Sequence, residues 1–265
     1  MKVYFQHHGN LECDLRWLLN GAGFATRQNR DPGTPWYKSP TMTVVIEHPD
    51  GNILFDTSCP RDWRERWAGT PIPDQFLYDN TTDEEFLDAS LARLGLRPED
   101  FTTVVASHLH YDHAGNLRLF AGTGARILAH KREVEGATGF DGEFLGAHIK
   151  RDYQNIDIET VSGDTEIASG VTLLELPGHT WGTMGLLVNL PHTGPLIFTS
   201  DAVYMKESYG PPPVGSPIAW SSLDWLRSVE RVRALADKHN ATLVFGHDAR
   251  AITSGELRLA PAYYD

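Results

Sequence analysis

The chain has 265 residues, 41% hydrophobic and 22% charged, ordinary values for a globular protein able to bury a large core. Its formal net charge of −12 repels phosphate backbones, so neither nucleic acid nor an anionic membrane is expected as a main partner. Two cysteines, Cys13 and Cys59, are too few for a disulfide framework and read as small buried hydrophobes in a reducing compartment.

The opening "MKVYFQHHGN" carries one lysine and no apolar run, so no signal peptide is expected. Within it "KVYFQ" (2–6) reads as a first strand. "TMTVVIEH" (41–48) and "NILFDT" (52–57) follow, joined by a "PDG" hairpin signal. The spacing predicts a helix over 83–94, with Thr82 and Glu85 as a capping box and Phe86, Leu87, Leu91 and Leu94 on one face. Further strands are expected at 101–108, 125–130, 171–179, 183–189, 195–201 and 241–247. A second helix is expected over 222–238, capped by Ser222, with Leu226, Val229, Val232 and Ala236 inward. Both helical stripes read as core packing. Runs of strands with helices between them imply an α/β fold of sheets covered by helices, in one domain spanning 1–265. No stretch reaches the length of a membrane span. The expectation is a soluble, cytoplasmic protein. Irregular stretches at 20–40, 58–81 and 205–220 are long enough to carry function.

"SHLHYDHAGN" (107–116) concentrates His108, His110, Asp112 and His113 at the end of a strand. Residues two apart on an extended chain face the same side, so His108 and His110 can share one ion. Asp112 and His113 follow the turn and can serve a neighbouring position. Other predicted strands end in His179, Asp201 and His247, all polar groups at the carboxyl ends of apolar runs. His7, His8, His48, His130, His148, His192 and His239 stand alone and read as surface or hydrogen-bonded side chains.

H-x-H-x-D-H at 108–113, "PGHT" at 177–180, Asp201 after its strand and "FGHD" at 245–248 resemble the metallo-β-lactamase superfamily, over nearly the whole chain. The resemblance implies a four-layer αββα sandwich with a metal site at one edge. It implies one ion held by His108, His110 and His179, a second held by Asp112, His113 and His247, and Asp201 bridging them. Asp56 in "LFDT" resembles the family aspartate that orients a metal-bound imidazole from behind. Nitrogen and oxygen ligands suit two divalent ions, zinc first and manganese, cobalt or iron as alternatives.

Within the superfamily, β-lactamases carry cysteine where Asp201 stands, and flavodiiron proteins carry glutamate where His110 stands. Glyoxalase II adds a C-terminal domain, for which few residues remain. "SHLHYDHAGN" together with "SDAVYMKES" (200–208) resembles the N-acyl-homoserine lactonases. That resemblance implies hydrolytic opening of a lactone ring by a hydroxide held between the metals. Tyr204 would donate to the developing oxyanion, and Asp112 would carry a proton to the leaving alkoxide. Phe24, Trp36, Trp63, Trp67 and Phe76 are candidate walls for an acyl-chain pocket. The expected partner is a small lactone; a homodimer stays open. Hydrolysis of another small lactone, ester or thioester, or metal binding without turnover, are the alternatives.

Overall fold

The computed structural model describes residues 1–139 and 147–265. Among them are twelve strands: β1 Lys2–Asp14, β2 Trp36–Glu47, β3 Asn52–Phe55, β4 Phe76–Leu77, β5 Phe101–Val105, β6 Arg126–His130, β7 Glu159–Val161, β8 Thr165–Ala168, β9 Val171–Glu175, β10 Met184–Leu190, β11 Gly194–Phe198 and β12 Thr242–Val244. They form a seven-stranded sheet ordered β4-β1-β2-β3-β5-β6-β7 and a five-stranded sheet ordered β12-β11-β10-β9-β8.

Side-chain alternation builds the layers. Val44, Ile46, Ile53, Phe55, Val105 and Leu128 of the first sheet face Leu173, Met184, Leu186, Val188, Leu196 and Phe198 of the second, in one apolar core. The intervening residues point outward. Val45, Leu54, Val104, Ile127 and Ala129 pack under Leu87, Leu91, Ala137 and Tyr153 of the covering helices. Leu174, Leu187 and Ile197 pack under Trp225, Val229 and Val232 of the Ser222–His239 helix. Helix, sheet, sheet, helix is the resulting order, the αββα sandwich. Among the described residues, no helix is long and apolar enough to cross a membrane.

Two helix boundaries differ from the pattern-based reading. Ser221, not Ser222, caps the long helix, accepting from Asp224 N at 3.2 Å. The expected 83–94 helix is shorter, Leu87–Arg93, because Phe86 is extended (φ −63°, ψ 151°) and turns its ring into a separate loop cluster. The Thr82–Glu85 pairing exists, with Thr82 N donating to Glu85 Oε2 at 2.8 Å, but it closes an isolated turn. β2 also begins at Trp36, so the expected 20–40 loop ends earlier.

Candidate metal centre

The site lies where strands from both sheets end on one rim. Asp56 follows β3, Ser107 and His108 follow β5, His179 follows β9, Asp201 follows β11 and His247 follows β12. Asp56 N donates to Val105 O (2.7 Å) and Met184 N to Ser107 O (2.9 Å), so the ligand-bearing loop is tied to both sheets. His108, His110, Asp112, His113, His179, Asp201 and His247 are all less than a tenth exposed.

These side chains converge as two groups, His108, His110, His179 and Asp201 in one, Asp112, His113 and His247 in the other. His179 Nε2 lies 3.2 Å from His108 Nε2 and 3.0 Å from His110 Nδ1. Asp201 divides its carboxylate between the groups. Its Oδ2 faces His179 Nε2 at 3.2 Å, while its Oδ1 faces His113 Nε2 at 3.2 Å and His247 Nε2 at 3.0 Å. Asp112 Oδ2 completes the second group, 3.5 Å from His113 Nε2 and 3.8 Å from His247 Nε2.

Do these groups fit a divalent ion? Nitrogens bound to one tetrahedral zinc at 2.0–2.1 Å stand roughly 3.3 Å apart, close to the spacings here. His110 Nε2, His113 Nε2 and Asp201 Oδ1 are buried with no hydrogen-bond partner among the described residues, a cost a bound cation removes for the two that face inward. Charge points the same way. Burial pushes His108 and His110 well below the usual imidazole range, helped by neighbouring histidines, and takes His179 down to about 4 against the pull of Asp201. These three are held in the neutral, ligating form, whereas Asp201 and Asp112 raise His113 and His247 against burial, so a cation bound in the second group would displace protons there. Burial opposes charge on Asp201 too, yet His113, His247 and His179 hold it well below the carboxylate norm. The donor set fits divalent metal, so the chain carries a His/Asp site suited to it.

Behind each group stands a buried carboxylate. Asp56 accepts from Ser107 N (2.7 Å), Ser107 Oγ (2.9 Å) and His113 Nδ1 (2.8 Å). Ser107 Oγ lies 3.0 Å from His108 Nδ1 and receives a hydrogen bond from Ser200 Oγ at 2.9 Å. One hydroxyl thus links Asp56 to the outer nitrogens of a histidine in each group. The second carboxylate, Glu133, escaped the sequence reading. It is fully buried and accepts from Leu109 N (2.9 Å), Gly182 N (3.1 Å) and His148 Nε2 (3.1 Å), pinning the loops that carry His108, His110 and His179. His148, read from sequence as an ordinary histidine, packs its ring 4.4 Å from that of His110. Nothing in "HKREVE" or "GAHIK" signals these roles, since a tertiary contact makes them. Ser107 and Ser200 had a signal: both are polar residues between an apolar strand and a ligand.

Tyr204 is buried, its hydroxyl 3.0 Å from His179 Nδ1. Burial, then Asp201, pushes its phenol well above the usual range, so it stays protonated. It lines a cavity whose floor includes His110, Asp112, Asp201 and His247. Of the aromatics expected to wall that cavity, Phe76 does so. Trp63 and Trp67 lie in the apolar cluster behind it, Trp67 edge-on to Tyr111 at 4.9 Å. Phe24 and Trp36 are 58% and 51% exposed and outside the lining, Trp36 because β2 carries it to Glu12 at the surface. Leu11, Trp17, Leu18 and Ile218 take their place.

An αββα sandwich with paired histidine–aspartate groups at one rim defines the metallo-β-lactamase superfamily, whose sequence pattern matches residues 36–247; the chain belongs to it. Within that superfamily it falls in the N-acyl-homoserine lactonase branch. It is 29% identical over 265 residues to the N-acyl homoserine lactonase AiiB of Agrobacterium fabrum, covering 96% of this chain and 95% of that protein. It is 30% identical over 281 residues to the N-acyl homoserine lactonase AttM of Azorhizobium caulinodans, covering 100% and 99%. Its fold matches an N-acyl homoserine lactone hydrolase solved with the product N-hexanoyl-L-homoserine at the catalytic metal center, with TM-score 0.83, 27% identity and coverage of 99% and 98%.

Proposed function

We propose that the protein is a metal-dependent lactonase that opens the ring of N-acyl-homoserine lactones with two divalent ions, zinc suiting the donor set best. His108, His110 and His179 would hold one ion, Asp112, His113 and His247 the other, and Asp201 both. The observation that carries this reading is the division of Asp201's oxygens between the two histidine groups at the floor of a partly apolar cavity. When bound, such ions lower the pKa of water from 15.7 to about 7 and polarise a carbonyl oxygen.

The chain's own groups do the rest. With His179 engaged through Nε2, its Nδ1 carries the hydrogen and donates to Tyr204, whose own O–H is then free to point at the ring carbonyl oxygen. Burial raises the Asp112 carboxyl against the pull of His113, making it the most readily protonated acid on the cavity floor. It is placed to pass a proton to the alkoxide as the ring C–O bond breaks. Apolar walls hold the acyl arm and thin the water around the reacting ester. One water is consumed, and the product is an N-acyl-homoserine whose new carboxylic acid ionises and releases one proton.

The test is a lactone panel with metal analysis on the same sample. Zinc-reloaded protein should release one proton per N-hexanoyl-homoserine lactone and give a product one water heavier, which acid converts back. Liberation of homoserine lactone and a fatty acid would mean amide cleavage and overturn the proposal. Turnover of unrelated esters or thioesters alone would move the substrate class.

A further inference from the structure

Beside the aromatic Trp17 and Tyr111, the cavity wall carries Ser39 and Gln75, polar groups that neither the proposed metal site nor the ring chemistry uses. Ser39 lies on β2 opposite Leu11 of β1, and both line the cavity, so its hydroxyl rises from the face that Leu11 makes apolar. Gln75 ends the short Ile72–Gln75 helix, one residue before the wall residue Phe76. Ser39 is only 2% exposed. Among the described residues, neither the Ser39 hydroxyl nor the Gln75 carboxamide makes a hydrogen bond.

Neither the Ser39 Oγ nor the Gln75 carboxamide is sealed off from the cavity, so each can exchange a water for a ligand's hydrogen bond. An apolar wall with a few polar groups set into it is how a ligand pocket fixes orientation. The chemistry of the pair is specific. A hydroxyl and a carboxamide together offer both donors and acceptors, which is what a secondary amide needs for its C=O and its N–H. A plain γ-lactone has no such group beyond the ring ester, which the reacting centre occupies.

Resting on the lactonase reading above, we infer that Ser39 and Gln75 bind the amide joining the acyl arm to the lactone ring and so select N-acylated lactones over bare ones. A site built to hydrogen-bond a substrate group discriminates strongly against analogues that lack it, because its own polar atoms are then left unpaired. The two residues determine specificity; they stand apart from the reacting bond.

The experiment compares zinc-reloaded wild type, Ser39→Ala, Gln75→Leu and the double variant on N-hexanoyl-homoserine lactone and γ-butyrolactone. Calorimetric binding of the ring-opened N-hexanoyl-homoserine is a second readout. Each single variant should lower the ratio of kcat/KM between the acylated and bare lactones about 10-fold, through KM, and weaken product binding in step. Equal losses on both lactones, or an unchanged ratio with an active wild type, overturn this inference and leave the lactonase reading standing. A wild type that opens γ-butyrolactone but no acylated lactone overturns both.

Discussion

Tyr204→Phe separates the roles of one hydroxyl. The oxygen is 3.0 Å from His179 Nδ1, in a side chain that is otherwise buried, so phenylalanine keeps the ring packing and deletes one polar atom. Two interactions go with it. The first is the proposed hydrogen bond to the developing oxyanion, whose loss in a water-poor site costs on the order of 2–4 kcal/mol, roughly 30- to 1,000-fold in rate. The cavity opens beside Tyr204, so water can replace the phenol in part, and the expected fall in kcat is about 10- to 100-fold. The second is the acceptor for His179 Nδ1–H. Losing such a partner behind a ligating imidazole typically costs 10- to 100-fold in metal affinity. The assay is therefore steady-state kinetics at saturating zinc, run beside a chelator-competition titration of the same protein. We expect kcat to stay low at full loading while one of the metal equivalents binds about 10-fold more weakly. Wild-type kcat at full loading would refute the oxyanion role and leave Tyr204 as an orienter of His179.

On the dinuclear reading proposed above, Asp201→Ala should bring bound metal from two equivalents to below one, because both groups lose a proposed ligand, whereas His179→Ala should weaken chiefly one; elemental analysis after reloading decides. Ser107→Ala should lower affinity about 10-fold and make the two equivalents bind more independently, since the hydroxyl links Asp56 to His108, and Ser107→Thr should restore it; unchanged titration curves would refute the link. His8 offers a test free of metal. It is buried between Glu85 O (2.7 Å) and Thr43 Oγ1 (2.8 Å), and burial lowers it to about 4. Its folded value lies below the unfolded 6.5, so the unfolded chain takes up the proton first as pH falls. Stability from this group is complete above about 6.5 and drains by about 3 kcal/mol toward pH 4. His8→Gln in urea titrations should flatten that decline; parallel curves would refute the assignment.

The strands with apolar runs were all legible, because period-two burial between two sheets and a helical layer leaves a continuous mark, as in "TVVIE" and "GLLVN". β4, β7 and β8, "FL", "ETV" and "TEIA", were not, because pairing rather than composition makes them strands. β1 continues past the expected "KVYFQ" through a register shift between His7 and Asn10, where Gly9 takes φ +80° and breaks the alternation. Candidate ligands were readable because His108, His179, Asp201 and His247 each follow the end of an apolar strand at the rim, while His110, Asp112 and His113 crowd the turn just after His108. The cavity wall was not. Counting aromatics in loops favours Trp63 and Trp67, yet what lines the cavity depends on how 11–18, 75–76 and 218 meet in space, which no local pattern encodes.

Backbone strain explains how such a wall and such a floor are held to one geometry. Asp56, Ser58 and Ser200 are fully buried non-glycine residues with φ of +65°, +57° and +47°, and all flank the candidate centre. Each costs of order 1–3 kcal/mol and persists only where its surroundings over-determine it. At Asp56 the determinants are Ser107 and His113. At Ser200 they are the hydrogen bond to Ser107 and the approach of Gly246, where an added Cβ would stand 2.5 Å from Ser200 O. Gly246 thus brings β12's end against β11's end and sets His247 beside Asp201. Each strained turn aims a carboxylate or hydroxyl that a relaxed strand end would direct elsewhere. The core's two packed sheets supply the stability that sustains these turns, and the site occupies the rim where that stability can be spent on geometry.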